Sequence, residues 1–176
     1  MNKAGERMMK ASKLMNTMVA SSLLAVSLNV FAAGSLSVEK ETTVNASPAT
    51  VWKMIGNFNG LDVWHPVVVG SELTTGVNNE PGAVRLLTLG NGATISEKLL
   101  SYSDEDKSYS YAIMESPLPV SNYESSISVM DAGEGKSKIV WRSDFDTKDA
   151  TDADAVDAIT GVYDAGLSQV QKHFGN

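Results

Sequence analysis

The sequence predicts an α+β domain: a curved antiparallel sheet of seven strands, two short helices near its start and one long C-terminal helix. Two patterns carry this. Seven runs alternate apolar with polar residues and are parted by turn chemistry, and residues 152–174 repeat apolar side chains every three or four positions. A helix with one apolar stripe has to cover an apolar surface, and the concave face of the sheet is the surface that the pattern offers.

Residues 1–32 read as a cleavable secretory signal that precedes the domain. Lys3, Arg7, Lys10 and Lys13 lead into an apolar run over 15–31, and Val30-Phe31-Ala32 carries small or β-branched side chains where a leader peptidase reads them, which puts cleavage after Ala32. The run is short for a bilayer core of roughly 30 Å and is broken by Asn16, Ser21, Ser22, Ser27 and Asn29. A cleaved leader, no lasting membrane span and a bacterial periplasm are therefore expected, with a single domain over 33–176. Loss of four basic residues and Glu6 with the leader would take the net charge from −7 to −10.

Within the domain, Leu36, Val38, Lys40, Thr42 and Val44 alternate with Ser37, Glu39, Glu41 and Thr43, a strand with a charged wet face. Ser47-Pro48 supplies an N-cap and a proline at the first helical position; Val51, Trp52 and Ile55 form a short apolar stripe that Gly56 ends. The stretch 57–66 is aromatic, with Phe58, Leu61 and Trp64, and Pro66 keeps His65 from helical angles, so a second short helix or turn fits there. Strands are then expected over 67–73, 83–89, 93–102, 108–114, 122–129 and 137–145. Between them lie a polar loop at 74–81, Gly90-Asn91-Gly92, Ser103-Asp104-Glu105-Asp106, a proline-bounded segment at 117–119 and Asp131-Ala132-Gly133-Glu134-Gly135. Short turns between successive strands make a meander. In 152–174, Val156, Ile159, Val162, Tyr163, Gly166, Leu167, Val170 and Phe174 fall on one helical face. This element order is that of the helix-grip fold.

Composition excludes several functions. Lys plus Arg number 14 against 21 Asp plus Glu, so no basic footprint for nucleic acid exists and no such partner is expected. With no cysteine there is no thiolate metal site and no cysteine nucleophile, and two histidines are too few for an imidazole zinc site; no metal and no other cofactor is expected. Phosphate-loop, nucleophile-elbow and zinc-helix motifs are missing. The acidic run from Asp144 to Asp157 lacks EF-hand spacing and reads as a solvated face with favourable charge at a helix start.

The stretch 44–66, VNASPATVWKMIGNFNGLDVWHP, together with Gly82-Ala83-Val84-Arg85-Leu86-Leu87-Thr88, the strand of Glu97, Tyr109-Ser110-Tyr111, Pro117-Leu118-Pro119-Val120 and 161–167, resembles the START-like (SRPBCC) superfamily of polyketide cyclase and dehydratase type. In particular it is similar to exported members like the MxaD accessory proteins of methanol oxidation. The resemblance covers the whole domain and implies a hydrophobic cavity between the long helix and the sheet. It implies no reaction, because the fold hosts carriers, receptors and cyclases alike.

The Gly90-Asn91-Gly92 hairpin gives the sharpest local inference. If Leu89 faces Ala93 across a three-residue loop, Leu87 faces Ile95 and Arg85 faces Glu97; a two-residue loop would instead set Arg85 against Lys98, like against like. The first register puts an ion pair among Leu87, Leu89, Ile95 and Leu99 on the concave face. Desolvating two charges costs several kcal/mol per ion unless geometry compensates, so the pair reads as a ligand anchor or acid–base group, or else as a structural bridge. Tyr109, Tyr111, Tyr123, Trp141 and Tyr163 bring rings with polar tips to the same face, which suits an apolar pocket with a few oriented hydrogen bonds. Trp64 and His65 fall where the resemblance places the cavity mouth, and His65 reads either as an acid or base or as a hydrogen bond that holds its loop. These residues, with Leu87, are the candidate ligand contacts; Glu97 and His65 are the candidates for proton transfer.

The expected function is a periplasmic binding protein for a small hydrophobic or aromatic molecule. Two alternatives stay open: a cyclase-, dehydratase- or lyase-like enzyme using acid–base residues in the same cavity, and an accessory protein whose acidic surface meets a basic periplasmic redox partner.

Overall fold

Alternating side chains and short turns build the sheet that the rest of the chain closes over. A computed structural model describes residues 34–175; the leader expected over 1–32 and its cleavage point after Ala32 lie outside the described residues. These form β1 Leu36–Val44, α1 Pro48–Ile55, a 3-10 turn Phe58–Gly60, α2 Leu61–Trp64, β2 Val68–Thr75, β3 Val84–Leu89, β4 Thr94–Ser103, β5 Ser108–Glu115, β6 Val120–Gly133, β7 Lys136–Thr147 and α3 Asp152–Phe174. The strands make one antiparallel sheet in the order β1-β7-β6-β5-β4-β3-β2. The meander runs from β2 to β7, and β1 returns to pair along β7 from Leu36 opposite Phe145 to Val44 opposite Ser137. The α+β helix-grip architecture read from the sequence is the one observed.

Two of the long strands outrun their expected bounds. Asp131-Ala132-Gly133-Glu134-Gly135 reads as a loop, yet Asp131 still pairs with Ser137 and Gly133 with Lys136. Positive φ angles at Gly133, Glu134 and Gly135 compress the reversal into a tight turn, so the ladder continues almost to its tip.

Helix ends are fixed by the residues that marked them. The Ser47 hydroxyl accepts from the Thr50 N–H, and the Gly56 N–H donates to Trp52 O at 2.7 Å, closing α1. Trp52 Nε1 donates to Asp104 Oδ1 at 2.7 Å, tying α1 to the β4–β5 turn. In α3 the Thr151 hydroxyl accepts from the Asp154 N–H at 3.2 Å, and Asp152 and Asp154 in the first turn and Lys172 in the last carry charges that complement the helix dipole.

The face that α3 buries is narrower than the sequence stripe. Ala155, Ile159, Tyr163, Gly166, Leu167 and Val170 are buried, while Val156, Val162 and Phe174 are half-buried at its flanks. Gly166 sets how closely the helix lies on what is beneath. A Cβ there would stand 2.7 Å from His65 Cδ2 and 2.8 Å from Trp141 Cζ3, both atoms of confined rings.

Two substitutions in α3 should therefore move stability in opposite directions. Gly166→Ala should cost about 1–3 kcal/mol by overpacking. Gly161→Ala, whose Cβ meets nothing within 4 Å on an exposed turn, should add about 0.5–1 kcal/mol. Urea denaturation of the two variants beside the parent measures both; equal shifts would mean that α3 does not rest on the His65 and Trp141 rings.

Candidate functional site

The β3–β4 hairpin sets the chemistry. Arg85 lies opposite Glu97 and Leu87 opposite Ile95, with Leu89 N–H donating to Ala93 O, the three-residue register. Arg85 is 0% exposed and Glu97 4%. The Arg85 Nε donates to Glu97 Oε2 at 2.7 Å, and Nη2 stands 2.6 Å from the same oxygen in ionic contact. Nη1 donates to the Phe58 carbonyl at the 3-10 turn. The guanidinium carbon sits 4.2 Å from the centre of the Phe58 ring and 5.4 Å from that of Tyr111, a cation walled by π-faces. Burial disfavours the Arg85 charge, but Glu97 alongside outweighs it, with help from Tyr109 and Tyr111, and the guanidinium pKa is held above its ordinary value. Burial also lifts the Glu97 carboxyl above the usual range, against the pull of Arg85.

A chain of hydroxyls crosses from the sheet to α3. Ser125 Oγ donates to the Arg142 carbonyl at 2.8 Å, which leaves its lone pairs to accept from Tyr163 at 2.9 Å; Tyr163 in turn accepts from Tyr123 at 2.5 Å. A backbone carbonyl thus fixes the direction of three hydroxyls. Trp141 Nε1 lies 3.1 Å from both the Tyr111 and Ser125 oxygens, and its ring stacks on Tyr163 with centroids 4.3 Å apart. Burial pushes Tyr109 and Tyr163 up to about 12 and Tyr111 and Tyr123 well above the ordinary value, so the whole cluster stays protonated at neutral pH.

His65 follows α2 and is 2% exposed. Its Nε2 lies 2.9 Å from Val162 O on α3, and a carbonyl can only accept, so Nε2 carries the hydrogen. Nδ1 is buried with no hydrogen-bond partner. Burial, reinforced by Arg85 and opposed by the Val162 bond, holds the imidazole pKa below its ordinary 6.5, which leaves a neutral ring with a bare Nδ1. The neighbouring Trp64 ring contacts Trp141, centroids 5.5 Å apart.

These groups surround a cavity of about 60 Å³ beneath α3, bounded by α2, the start of β2 and strands β3 to β7. His65, Leu87, Glu97, Tyr111, Tyr123 and Trp141 line it. Trp64, Arg85, Tyr109 and Tyr163 are equally buried but stand outside its lining, supporting the residues that do face it. His65 is pinned to α3 in the interior rather than placed at an open mouth. The volume matches roughly two waters of liquid, where sites for drug-sized ligands span about 300–1,000 Å³. Leu61, Ile113 and Leu118 also line the cavity; their apolar side chains carry no sequence signal that separates wall from core.

Outside it, β5 and β6 part. Their ladder ends at Ala112 opposite Glu124; beyond that point Ile113 and Glu115 pair with β4, and Val120 and Ser121 with β7. A surface groove of about 720 Å³ fills the gap, and Ile113 and Tyr123 line both groove and cavity. Among the described residues no group of three or more His, Asp or Glu side chains is placed to hold a metal ion.

The neutral imidazole makes a pH prediction. Unfolded His65 takes up a proton near pH 6.5, whereas the folded protein resists it until lower pH. Its contribution is thus complete above about pH 6.5 and declines below it, by at most about 1.4 kcal/mol per pH unit. His65→Gln should lack that slope. Urea denaturation of both proteins from pH 7 to pH 5 measures it, and parallel curves would exclude a buried neutral imidazole.

Comparison with known proteins agrees with this architecture. Residues 35–175 match the family described as polyketide cyclase / dehydrase and lipid transport. The chain is 35% identical to the XoxI protein of Bacillus cereus, with a TM-score of 0.74 covering 78% of this chain and 94% of that one. It is 34% identical to an uncharacterized protein of Bacillus thuringiensis, with a TM-score of 0.74 and coverage of 80% and 100%. A Nitrosospira multiformis protein, 23% identical with a TM-score of 0.71 over 80% of this chain and 97% of that one, shares the fold. No curated protein matches the chain significantly. With the family match extending across nearly every described residue and the same seven-stranded grip present in these structures, the chain belongs to the polyketide cyclase / dehydrase and lipid transport family of the START-like (SRPBCC) superfamily.

Proposed function

We propose that the protein binds a small hydrophobic or aromatic molecule beneath α3, with the Arg85–Glu97 pair orienting the ligand's polar end, and that it does so in the periplasm after removal of residues 1–32. One observation carries the reading: a fully buried ion pair whose carboxylate faces an otherwise mainly apolar cavity. A buried pair rarely improves stability over apolar residues of like volume, so its presence is better explained by a ligand than by the core. Membership of a family that includes lipid transport supports the same reading.

At about 60 Å³ the cavity accepts a ligand of ordinary size only if its walls part. Val67, 45% exposed, and Leu118 on the loop before β6 line it from the outside of the molecule. A second reading, proton transfer in a cyclase- or dehydratase-like reaction, draws on Glu97 and His65 lining one cavity; it requires turnover of the same ligand.

Native mass spectrometry of the protein purified from its own periplasm tests the proposal. The expected mass is that of residues 33–176 plus one small molecule, released by denaturing extraction. Arg85→Met alone should lose about 3–5 kcal/mol, because Glu97 is left buried without its counter-charge, whereas Arg85→Met/Glu97→Leu should be near the parent in stability. The double variant should fold and carry no small molecule. A parent protein free of any bound compound, or a double variant that retains it, would count against the reading.

A further inference from the structure

The hydrogen-bonding inventory of the cavity is lopsided. Arg85, the strongest donor nearby, gives Nε–H to Glu97 Oε2 and Nη1–H to the Phe58 carbonyl; its Nη2 has ionic contact with Glu97 Oε2 but no hydrogen-bond partner, and the residue stands outside the cavity lining. Trp141 Nε1 is directed at the Tyr111 and Ser125 oxygens. The hydroxyl hydrogens of Tyr123, Tyr163 and Ser125 run in sequence toward the Arg142 carbonyl, and the Tyr111 oxygen accepts from Trp141 Nε1. Trp64 Nε1 has no partner, but Trp64 does not line the cavity. Of the side-chain donors that line the cavity, all but the Tyr111 hydroxyl are thus turned into the protein.

Acceptors are what remain. His65 lines the cavity with Nε2–H given to Val162 O and Nδ1 bare and unpartnered. Glu97 lines it with Oε2 taken by Arg85 and no hydrogen bond to Oε1. Arg85 balances the carboxylate's charge, yet it does not line the space itself. A guest carboxylate would thus meet the lone pairs of Glu97 and His65 with the Tyr111 hydroxyl as its one donor, while a hydroxyl or amine would give each acceptor the hydrogen it lacks.

We infer that the cavity selects ligands whose polar end is a neutral hydrogen-bond donor, an alcohol, phenol or amine, and rejects carboxylates. This rests on the proposed function, since it names the class of molecule that the same cavity takes. It also changes the part played by Arg85: the arginine does not grip the ligand but opposes the burial that favours a neutral Glu97 and aims its carboxylate.

Phenol, toluene and benzoate separate the possibilities, being close in size and different only in the polar group. Each would be titrated at pH 7 into the isotopically labelled domain while the indole N–H resonances of Trp64 and Trp141 are followed by NMR. Phenol should bind at least about tenfold more tightly than toluene, despite toluene's greater hydrophobicity, and benzoate should not bind measurably. Arg85→Met/Glu97→Leu should reduce phenol to the level of toluene and leave toluene's affinity within a few-fold. Toluene or benzoate binding as well as phenol would overturn the donor inference and leave the cavity reading standing. A phenol preference that survives in the double variant would overturn Glu97 as its acceptor. Failure of all three compounds to bind would overturn the cavity reading and this inference with it.

Discussion

Two opposite charges buried side by side on the concave face of a sheet constrain most of what surrounds them. Arg85 and Glu97 tolerate their place because Glu97 Oε2 accepts from Nε and stands in ionic contact with Nη2, Phe58 O accepts from Nη1, and the Phe58 and Tyr111 rings cover the cation. Each requirement fixes an element. The ion pair demands the three-residue β3–β4 register; the Phe58 carbonyl demands that the 3-10 turn stop directly above β3; the Tyr111 face demands that β5 lie beside β4 with its aromatic residues inward. The β4–β5 ladder is irregular between Ser96 and Glu97, where the carboxylate turns into the cavity.

A second constraint joins α3 to the sheet. Tyr163 stacks on Trp141 and joins Tyr123 and Ser125 by hydrogen bonds, while Val162 O holds His65 from the other side of the same helical turn. Gly166, one turn on, removes the side chain that would keep His65 and Trp141 away from the helix. Neither half suffices alone: without the glycine the rings could not approach, and without the hydroxyl chain the two phenolic oxygens of Tyr123 and Tyr163 and the hydroxyl of Ser125 would be buried with unmet hydrogen-bonding capacity. The grip of the helix is thus a polar arrangement as much as an apolar one.

The sequence made the ion pair legible because hairpin register follows from loop length and like charges cannot face each other, so Gly90-Asn91-Gly92 and the position of Lys98 were enough to place Arg85 against Glu97. The inward aromatic residues were legible for the same reason, period two on strands of known face. Other features carry no local signal. The return of β1 to β7 joins residues about a hundred positions apart, from Leu36 with Phe145 to Val44 with Ser137. Where an apolar side chain borders a void rather than a neighbour depends on volumes summed over many elements, so Ile113 and Leu118 looked like any other core residue. The resemblance implied a cavity but not its size. That size follows from how Trp141, Tyr111, Tyr123 and Leu87 fill the concave face, which no residue reports on its own.

A small cavity and a ligand of ordinary size are reconciled by asking which wall is held least firmly. On the α3 side the wall is held by the hydroxyl chain and by Val162 O; on the β3–β4 side it is held by the ion pair, and opening there would separate buried charges. Between β5 and β6 the situation differs. Past Ala112 and Glu124 the two strands share no backbone bonds, and Ile113 and Tyr123 alone are common to the cavity and the outer groove. Displacing Ile113 costs packing and no hydrogen bond, while Tyr123 stays tied to Tyr163 beside it. The energetic ordering of the walls therefore favours expansion toward the gap between β5 and β6, where the apolar part of a ligand can extend outward while its polar end remains beside Glu97 and His65.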